Sequence, residues 1–470
     1  MNKKNINFNK QELVTVVGLG FVGSAMSVAI STSKNKIGKN NFVVYGLERK
    51  NKKGKKLVKK INKGIFPFKN EDSSLEKNLK NSVLNKTLIA TTDKKIINKS
   101  DVVVIDIEFN IDKKNKDSKQ NLNKFIKSIS QILFLMKKES LLLIETTIPP
   151  GVCENIIHPE LNKILKKRNM PKDSICLAFS YERVMPGARY LDSITNFWRV
   201  YSGINKKSKL FCRKFLTKII NTKKYPLKEL SKITEVETAK ILENTYRATN
   251  IALIDEWSRF SEMAGIDLYE VINSIKVRPT HNNIMYPGLG VGGYCLPKDP
   301  LLAEFSARNI FNSKKIKFPI TNMTIDINAN SPFEIIKVIK KFFKKNIKDK
   351  RIIILGVSYK EDVCDFRNSP TIQFCEKIRR DVSNVFCHDP YIEYEKKNNI
   401  IFSSNLSQFK KSDIIIFAVK HSMYQKLDVI KYLRNSKSLI IDTSKIINNS
   451  MQKKLKEKKI KVFSLGKGIT

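Results

Sequence analysis

At 470 residues the chain is longer than one hydrophobic core sustains, so two or three domains are expected, and 41% hydrophobic with 28% charged residues excludes a disordered protein. Lys and Arg number 88 against 44 Asp and Glu, a formal charge of +44, yet the lysines run through the whole sequence instead of forming one basic tail or an aromatic-interleaved stripe. That distribution fits solvated lysines with some attraction for anionic small molecules, and argues against a nucleic-acid partner.

The first predicted element lies in an uncharged stretch, residues 13–33, that follows Lys3 and Lys4 and could pass for a signal peptide or membrane span. Gly18, Gly20 and Gly23 argue otherwise, because they sit between a β-like run and an Ala/Met/Val/Ile run, as a strand, a tight turn and a helix require. With no obvious cleavage site, a soluble, cytoplasmic chain with no membrane association is expected. Apolar runs at 13–17, 42–47, 88–90, 102–107, 141–145, 175–179 and 200–202 alternate with longer mixed stretches, which predicts a parallel sheet with crossover helices.

Gly18-Leu19-Gly20-Phe21-Val22-Gly23 therefore has the setting of a dinucleotide-binding turn: glycines admit a pyrophosphate to the backbone, and the helix N-terminus stabilises it. Glu48, at the end of the next strand, would accept from the adenosine ribose and repel a 2′-phosphate, favouring NAD over NADP, although Arg49 and Lys53 blur that choice. The plainer alternative is a glycine turn in a cofactor-free α/β domain.

In the middle, Val236, Ala239, Leu242, Tyr246, Leu253, Trp257, Phe260 and Ala264 recur at spacings of one face of a long helix. Thr234 with Glu237 reads as a capping box, and Gly265 as the left-handed residue that ends the helix. Lys240 and Asn244 share a face, with Arg247 next along it; on spacing alone a solvated polar face explains them. The loop Pro287-Gly288-Leu289-Gly290-Val291-Gly292-Gly293-Tyr294-Cys295-Leu296-Pro297-Lys298-Asp299-Pro300 exposes backbone around one thiol near a cation and an acid, a setting for a nucleophile or for an incidental Cys. A second helix is predicted over 325–343.

Alternation returns at 352–357, 385–387, 414–419 and 438–441, marking another α/β domain. Lys360, Asp365, Arg367 and Ser369 follow its first strand, where α/β ligands bind, and without GxGxxG this half should hold something other than a second dinucleotide. The reading is α/β: two Rossmann-like doubly wound domains joined by a central helical domain with a long helix, with boundaries at 1–215, 216–327 and 328–470 and the ligand between the outer two. Seven Cys without a CxxC pair fit a reducing cytoplasm and no disulfide framework, and four scattered His give no metal site.

Together these residues resemble the UDP-glucose/GDP-mannose dehydrogenase family over nearly the whole chain. The landmarks follow the family's order: the glycine turn, Glu145-Thr146-Thr147-Ile148-Pro149-Pro150-Gly151, Glu182-Arg183-Val184-Met185-Pro186-Gly187, Lys240 with Asn244, the Cys295 loop, and residues 360–370. The resemblance implies oxidation of the C6 alcohol of a nucleotide sugar by two NAD, through a thiohemiacetal and a thioester on Cys295, for surface polysaccharide synthesis. It implies Asp299 as activator of the hydrolytic water, Glu182 as a second base or positioning group, and Lys240 with Asn244 as the oxyanion-stabilising pair.

By the same resemblance the cofactor meets Gly18, Gly20, Phe21, Val22, Gly23, Glu48, Lys53, Thr146, Thr147, Lys298 and Arg367. The UDP-sugar meets Glu182, Arg183, Lys240, Asn244, Tyr286, Gly292 and Lys360, with Arg278 lent across a homodimer formed through the helical middle. Since a free thiol titrates near ~8.5, a thiolate at Cys295 calls for positive surroundings. The chain departs from the family at Ile107-Glu108-Phe109-Asn110, where an apolar residue and Pro-Thr-Pro are common, at Tyr181 in place of Pro, and at Tyr294 in place of a frequent His. Glu108 would be an awkward charge beside the cofactor.

The 182–187 motif is similar to members acting on UDP-N-acetylmannosamine or UDP-N-acetylglucosamine, while residues 295–299 lean toward UDP-glucose members. Two rivals stay open. One is a hydroxyacid-type dehydrogenase that moves two electrons and needs no thiol; the other is a basic nucleic-acid-binding protein on a relic dehydrogenase fold.

Overall fold

The computed structural model describes residues 11–69, 72–111, 118–397 and 400–469. It divides into two compact units, one running to Leu242 and taking in Leu301–Lys317, the other made of Glu243–Pro300 and the chain from Phe318 on.

The first unit is built on β1 (Glu12–Val17), β2 (Phe42–Leu47), β3 (Leu88–Thr91), β4 (Val102–Ile105), β5 (Ser140–Ile144), β6 (Ile175–Phe179), β7 (Val200–Gly203) and β8 (Lys228–Glu229). Their order is β3-β2-β1-β4-β5-β6-β7-β8, with only the β6–β7 pair antiparallel. Val102 and Val104 enter one apolar core while Val103 and Ile105 enter the other, so both faces are buried and the strand reads as an unbroken apolar run. The predicted strand over 102–107 stops at Ile105, because the Thr146 hydroxyl donates to the carbonyls of Ile105 and Ile107 and turns the chain out of the sheet.

The second unit carries β9 (Arg351–Leu355), β10 (Asn384–His388), β11 (Glu395–Lys397), β12 (Ile400–Ser403), β13 (Ile414–Phe417), β14 (Leu439–Asp442), β15 (Lys461–Ser464) and β16 (Gly468–Ile469). The order is β11-β12-β10-β9-β13-β14-β15-β16, parallel except for the outermost pair at each edge. In both sheets the earliest strand lies between neighbours reached in opposite directions, and that reversal opens a crevice at the strands' carboxyl ends. The α/β reading with two Rossmann-like sheets holds; the short β11, β12, β15 and β16 were not among the predicted strands.

The long helix is Ile233–Ala264, and the division between the units falls within it. The capping-box expectation fails, since helix begins before Thr234. The backbone N–H groups of Ser231 and Lys232 donate to Glu235, the Thr234 hydroxyl donates to Glu154, and Glu237 is drawn away to accept from Gly151 and Cys153. Gly265, with φ +70°, ends the helix as expected. The apolar stripe divides: Val236 is buried and Ala239 half-buried, whereas Leu242, Tyr246, Leu253, Trp257, Phe260 and Ala264 are exposed, as is Met263 beside them. The next long helix, Pro319–Phe342, starts earlier than predicted and continues through Pro332.

Residues 13–33 form β1, the glycine turn and the helix Phe21–Thr32; Lys3 and Lys4 lie outside the described residues. Among the described residues no helix is long and apolar enough to cross a membrane.

Candidate active site

The glycine turn closes β1 at the reversal between β1 and β4. Gly18 has φ +100°, and a methyl group there would fall 2.6 Å from the Asp106 carbonyl oxygen; one on Gly23 would fall 1.9 Å from the Gly18 oxygen. Gly20 is the N-cap of Phe21–Thr32, no side chain caps that helix among the described residues, and a methyl on Gly20 would meet nothing within 4 Å. The first-turn N–H groups are thus presented to an anion. Glu48 accepts from Leu19 N at 2.9 Å and from Arg49 N at 2.8 Å, which holds its carboxylate at the turn. Phe21 stacks on Phe68 with centroids 4.0 Å apart, Val22 is half-buried, and Lys53 is exposed on the helix that follows Glu48. A glycine cradle that Cβ atoms would fill, an open helix end and an acid beyond β2 fit a dinucleotide.

Beyond β5 and β6 the same unit gathers acids around one buried cation. Arg199 Nη1 lies 3.1 Å from Glu145 Oε1, both side chains almost fully out of solvent. Glu145 is pushed up to about 7, by burial first, with Arg199 opposing. The Asp106 carboxyl is pushed well above its ordinary range by burial and by Glu145 and Glu182. Lys240 Nζ donates to the Glu182 carbonyl at 2.9 Å and lies 5.2 Å from the Tyr181 ring centre. Arg183 stacks on the same ring and donates to Tyr181 Oη at 2.9 Å and to the Trp198 carbonyl at 2.8 Å. Tyr181, the departure from Pro, thus carries two cations. Thr146 is spent on backbone carbonyls, and Thr147 is half-buried beside it. Glu108 is exposed, so Asp106 is the inward acid of that loop.

The second unit holds the thiol. Cys295 is half-buried, and its carbonyl accepts from Lys298 N at 3.1 Å and Asp299 N at 2.8 Å, a tight turn. The Asp299 carboxylate is wholly buried; Lys298 Nζ lies 2.6 Å from Oδ1, and Asn244 Nδ2 donates to Oδ2 at 2.7 Å. The loop is pinned to the segment after β9, for Gly293 N donates to the Arg367 carbonyl at 2.9 Å and Asn368 Nδ2 to the Gly293 carbonyl at 2.9 Å. A methyl on Gly292 would come within 2.8 Å of Tyr359 Cβ, so glycine is needed there for packing. Lys298 and Arg367 flank Tyr294, 4.5 and 5.1 Å from its ring centre, and each is countered by an acid, Asp299 and Asp365.

Lys360 is half-buried beyond β9, where Gly356, with φ +101°, turns against Val419. Tyr286 donates to Asn273 at 2.7 Å and stacks on Tyr269, and Arg278 is exposed; the structure joins neither to the Cys295 loop. Sequence reasoning passed over Asp106, Arg199 and Tyr359. Asp106 had a signal, as an acid directly after an apolar strand; the tie between Glu145 and Arg199 spans 54 residues and had none.

Three family models match in order: the NAD binding domain of the UDP-glucose/GDP-mannose dehydrogenase family over residues 12–220, its central domain over 234–330 and its UDP binding domain over 353–449. A UDP-N-acetyl-D-mannosamine dehydrogenase of Methanocaldococcus jannaschii is 30% identical over 80% of this chain and 79% of its own length. One of the same name from Pyrococcus horikoshii is 29% identical over 81% and 84%. A solved structure of UDP-D-ManNAc dehydrogenase from Pyrococcus horikoshii superposes with a TM-score of 0.81 at 25% identity, covering 97% of this chain and 99% of that one. The chain belongs to the UDP-glucose/GDP-mannose dehydrogenase family and is an NAD-dependent nucleotide-sugar dehydrogenase.

Proposed function

We propose that the chain oxidises the C6 alcohol of a UDP-N-acetylhexosamine, of the UDP-N-acetylmannosamine or UDP-N-acetylglucosamine type, to the uronic acid through a covalent intermediate on Cys295. The observation that carries this reading is Asp299, buried four residues beyond the thiol with its carboxylate held by Lys298 and Asn244. NAD, when bound at Gly18, Gly20, Gly23 and Glu48, supplies the hydride acceptor for each of two oxidations. Lys240 stabilises the alkoxide left at C6 as the hydroxyl proton passes to water, and loss of the first hydride from C6 then leaves an aldehyde. The Cys295 sulfur adds to that carbonyl and the oxygen takes a proton, giving a thiohemiacetal; loss of a second hydride and of that proton leaves a thioester. Asp299 takes a proton from water as the water oxygen attacks the thioester carbon, and cleavage of the C–S bond frees the carboxylate and the thiol. Asn244 orients Asp299, and Glu182 positions water or sugar.

The UDP half belongs with Lys360 and the crevice beyond β9, and the order of the three family models supports a division into three domains at 1–215, 216–327 and 328–470. The exposed apolar stripe from Leu242 to Met263 suits a homodimer through the helical middle, with Arg278 reaching the partner's site. A uronic acid on a nucleotide is an activated donor suited to surface polysaccharide synthesis, and seven free thiols support a reducing compartment such as the cytoplasm. The test is a panel of UDP- and GDP-sugars followed by NADH absorbance: turnover of the N-acetylhexosamines is expected, whereas a rate confined to UDP-glucose would overturn the sugar assignment.

A further inference from the structure

Three successive strands of the NAD-binding unit end in acids: Asp106 directly after β4, Glu145 directly after β5 and Glu182 in the loop after β6. Asp106 stands beneath the glycine turn. Its carbonyl oxygen blocks any side chain on Gly18, and its Cβ lies 3.1 Å from where a methyl on Gly23 would be. Its Oδ2 is sealed from solvent with no hydrogen-bond partner, and so is Glu145 Oε2. The groups facing Asp106 are two acids, Glu145 and Glu182, and one cation, Arg199, whose Nη1 is engaged by Glu145. The helix Phe21–Thr32 packed above carries no titratable side chain; its Met26 sulfur lies 3.6 Å from Arg199 Nη2. On the far side of the turn, Glu48 is bound to Leu19 N.

Ionised, the half-buried Asp106 would keep its sealed Oδ2 without a donor and would stand under the crevice that receives the dinucleotide's two negative phosphates. We propose that Asp106 is held as a neutral carboxylic acid beneath the glycine turn, and that its ionisation loosens the bound cofactor, giving NAD affinity an alkaline limit. Burial and the two neighbouring acids act in this direction, and only Arg199 acts against it. The same residues explain how a chain with an acid at this spot still grips a pyrophosphate: the acid carries its proton.

The test is NADH fluorescence titration of the full chain from about pH 6 to 9 at fixed ionic strength, with infrared spectra of the protein without cofactor. The dissociation constant of the unaltered chain should rise roughly tenfold toward the alkaline end, as expected for one unit charge set near the phosphates. Asp106→Asn, which keeps shape and removes the charge, should bind within about twofold of the acid-limb value throughout. Asp106→Ala should be as flat, which guards against a folding defect peculiar to Asn. The carboxylic-acid carbonyl absorption near neutral pH, to which Glu145, Glu237 and Glu262 also contribute, should include one band that is missing in Asp106→Asn. An affinity that is flat in the unaltered chain, a rise that persists in both variants, or the absence of that band would each overturn the proposal.

Discussion

The Asn244 side-chain amide stands 2.7 Å from Asp299 Oδ2, joining the long helix to the loop that carries Cys295. Because the carboxylate is fully buried and its other oxygen is held by Lys298, its direction is fixed by two donors. Asp299→Asn removes the proton acceptor while keeping the shape, so hydrolysis should slow by about a hundredfold or more. Intact-protein mass spectrometry during turnover should then show the sugar nucleotide retained on Cys295.

Lys240 sits over Tyr181 with Nζ on the Glu182 carbonyl. An ammonium about 4 Å from a developing alkoxide is worth roughly 4 kcal/mol at an effective dielectric of about 20. Lys240→Met should therefore lower kcat by about a thousandfold while leaving NADH affinity within about twofold, checked by steady-state rates beside a fluorescence titration.

Gly23 has no room for a side chain, its Cβ position lying 1.9 Å from the Gly18 oxygen. Gly23→Ala must displace the turn from the helix, and NADH affinity should fall at least about tenfold with the sugar-nucleotide unit unaffected. Calorimetric titration with NADH and with UDP on the same sample separates the two effects.

Stability should change with pH in two directions. Burial pushes Glu237 and Glu262 each up to about 7, so the fold favours their protonated forms. Their contribution is complete below the ordinary carboxyl value near ~4.3 and is lost as pH rises through about 7, so Tm should decline over that window. Asp389 is raised by burial but pulled further down by His421 and Ser358, to about 2. Its contribution is present above ~3.9 and lost as pH falls toward about 2. Glu237→Gln and Asp389→Asn scans should each flatten one limb.

Much of this was legible in the sequence because apolar runs at strand length record burial on both faces. β1, β2 and β13 emerged from Val and Ile content, and the glycine turn from three glycines, of which Gly18 and Gly23 tolerate no Cβ. What stayed hidden depends on long-range partners. Glu237 looked like a cap residue and instead binds the backbone near Cys153; the edge strand β11 is too short and polar to stand out, and β12 beside it is an apolar run of only four residues. Cys295, Asp299 and Asn244 were each visible, but the chemistry of the Asp299 carboxylate depends on a contact across 55 residues.

Central to the proposed function is the thiol of Cys295, which would carry the substrate between two oxidations. Counting NADH against uronic acid formed from UDP-N-acetylmannosamine tests it most directly, in the unaltered chain and in Cys295→Ser. Two NADH per uronic acid, with uronate formation all but abolished in Cys295→Ser, is the predicted result; one NADH per sugar, or carboxylate made by Cys295→Ser at near the unaltered rate, would contradict it.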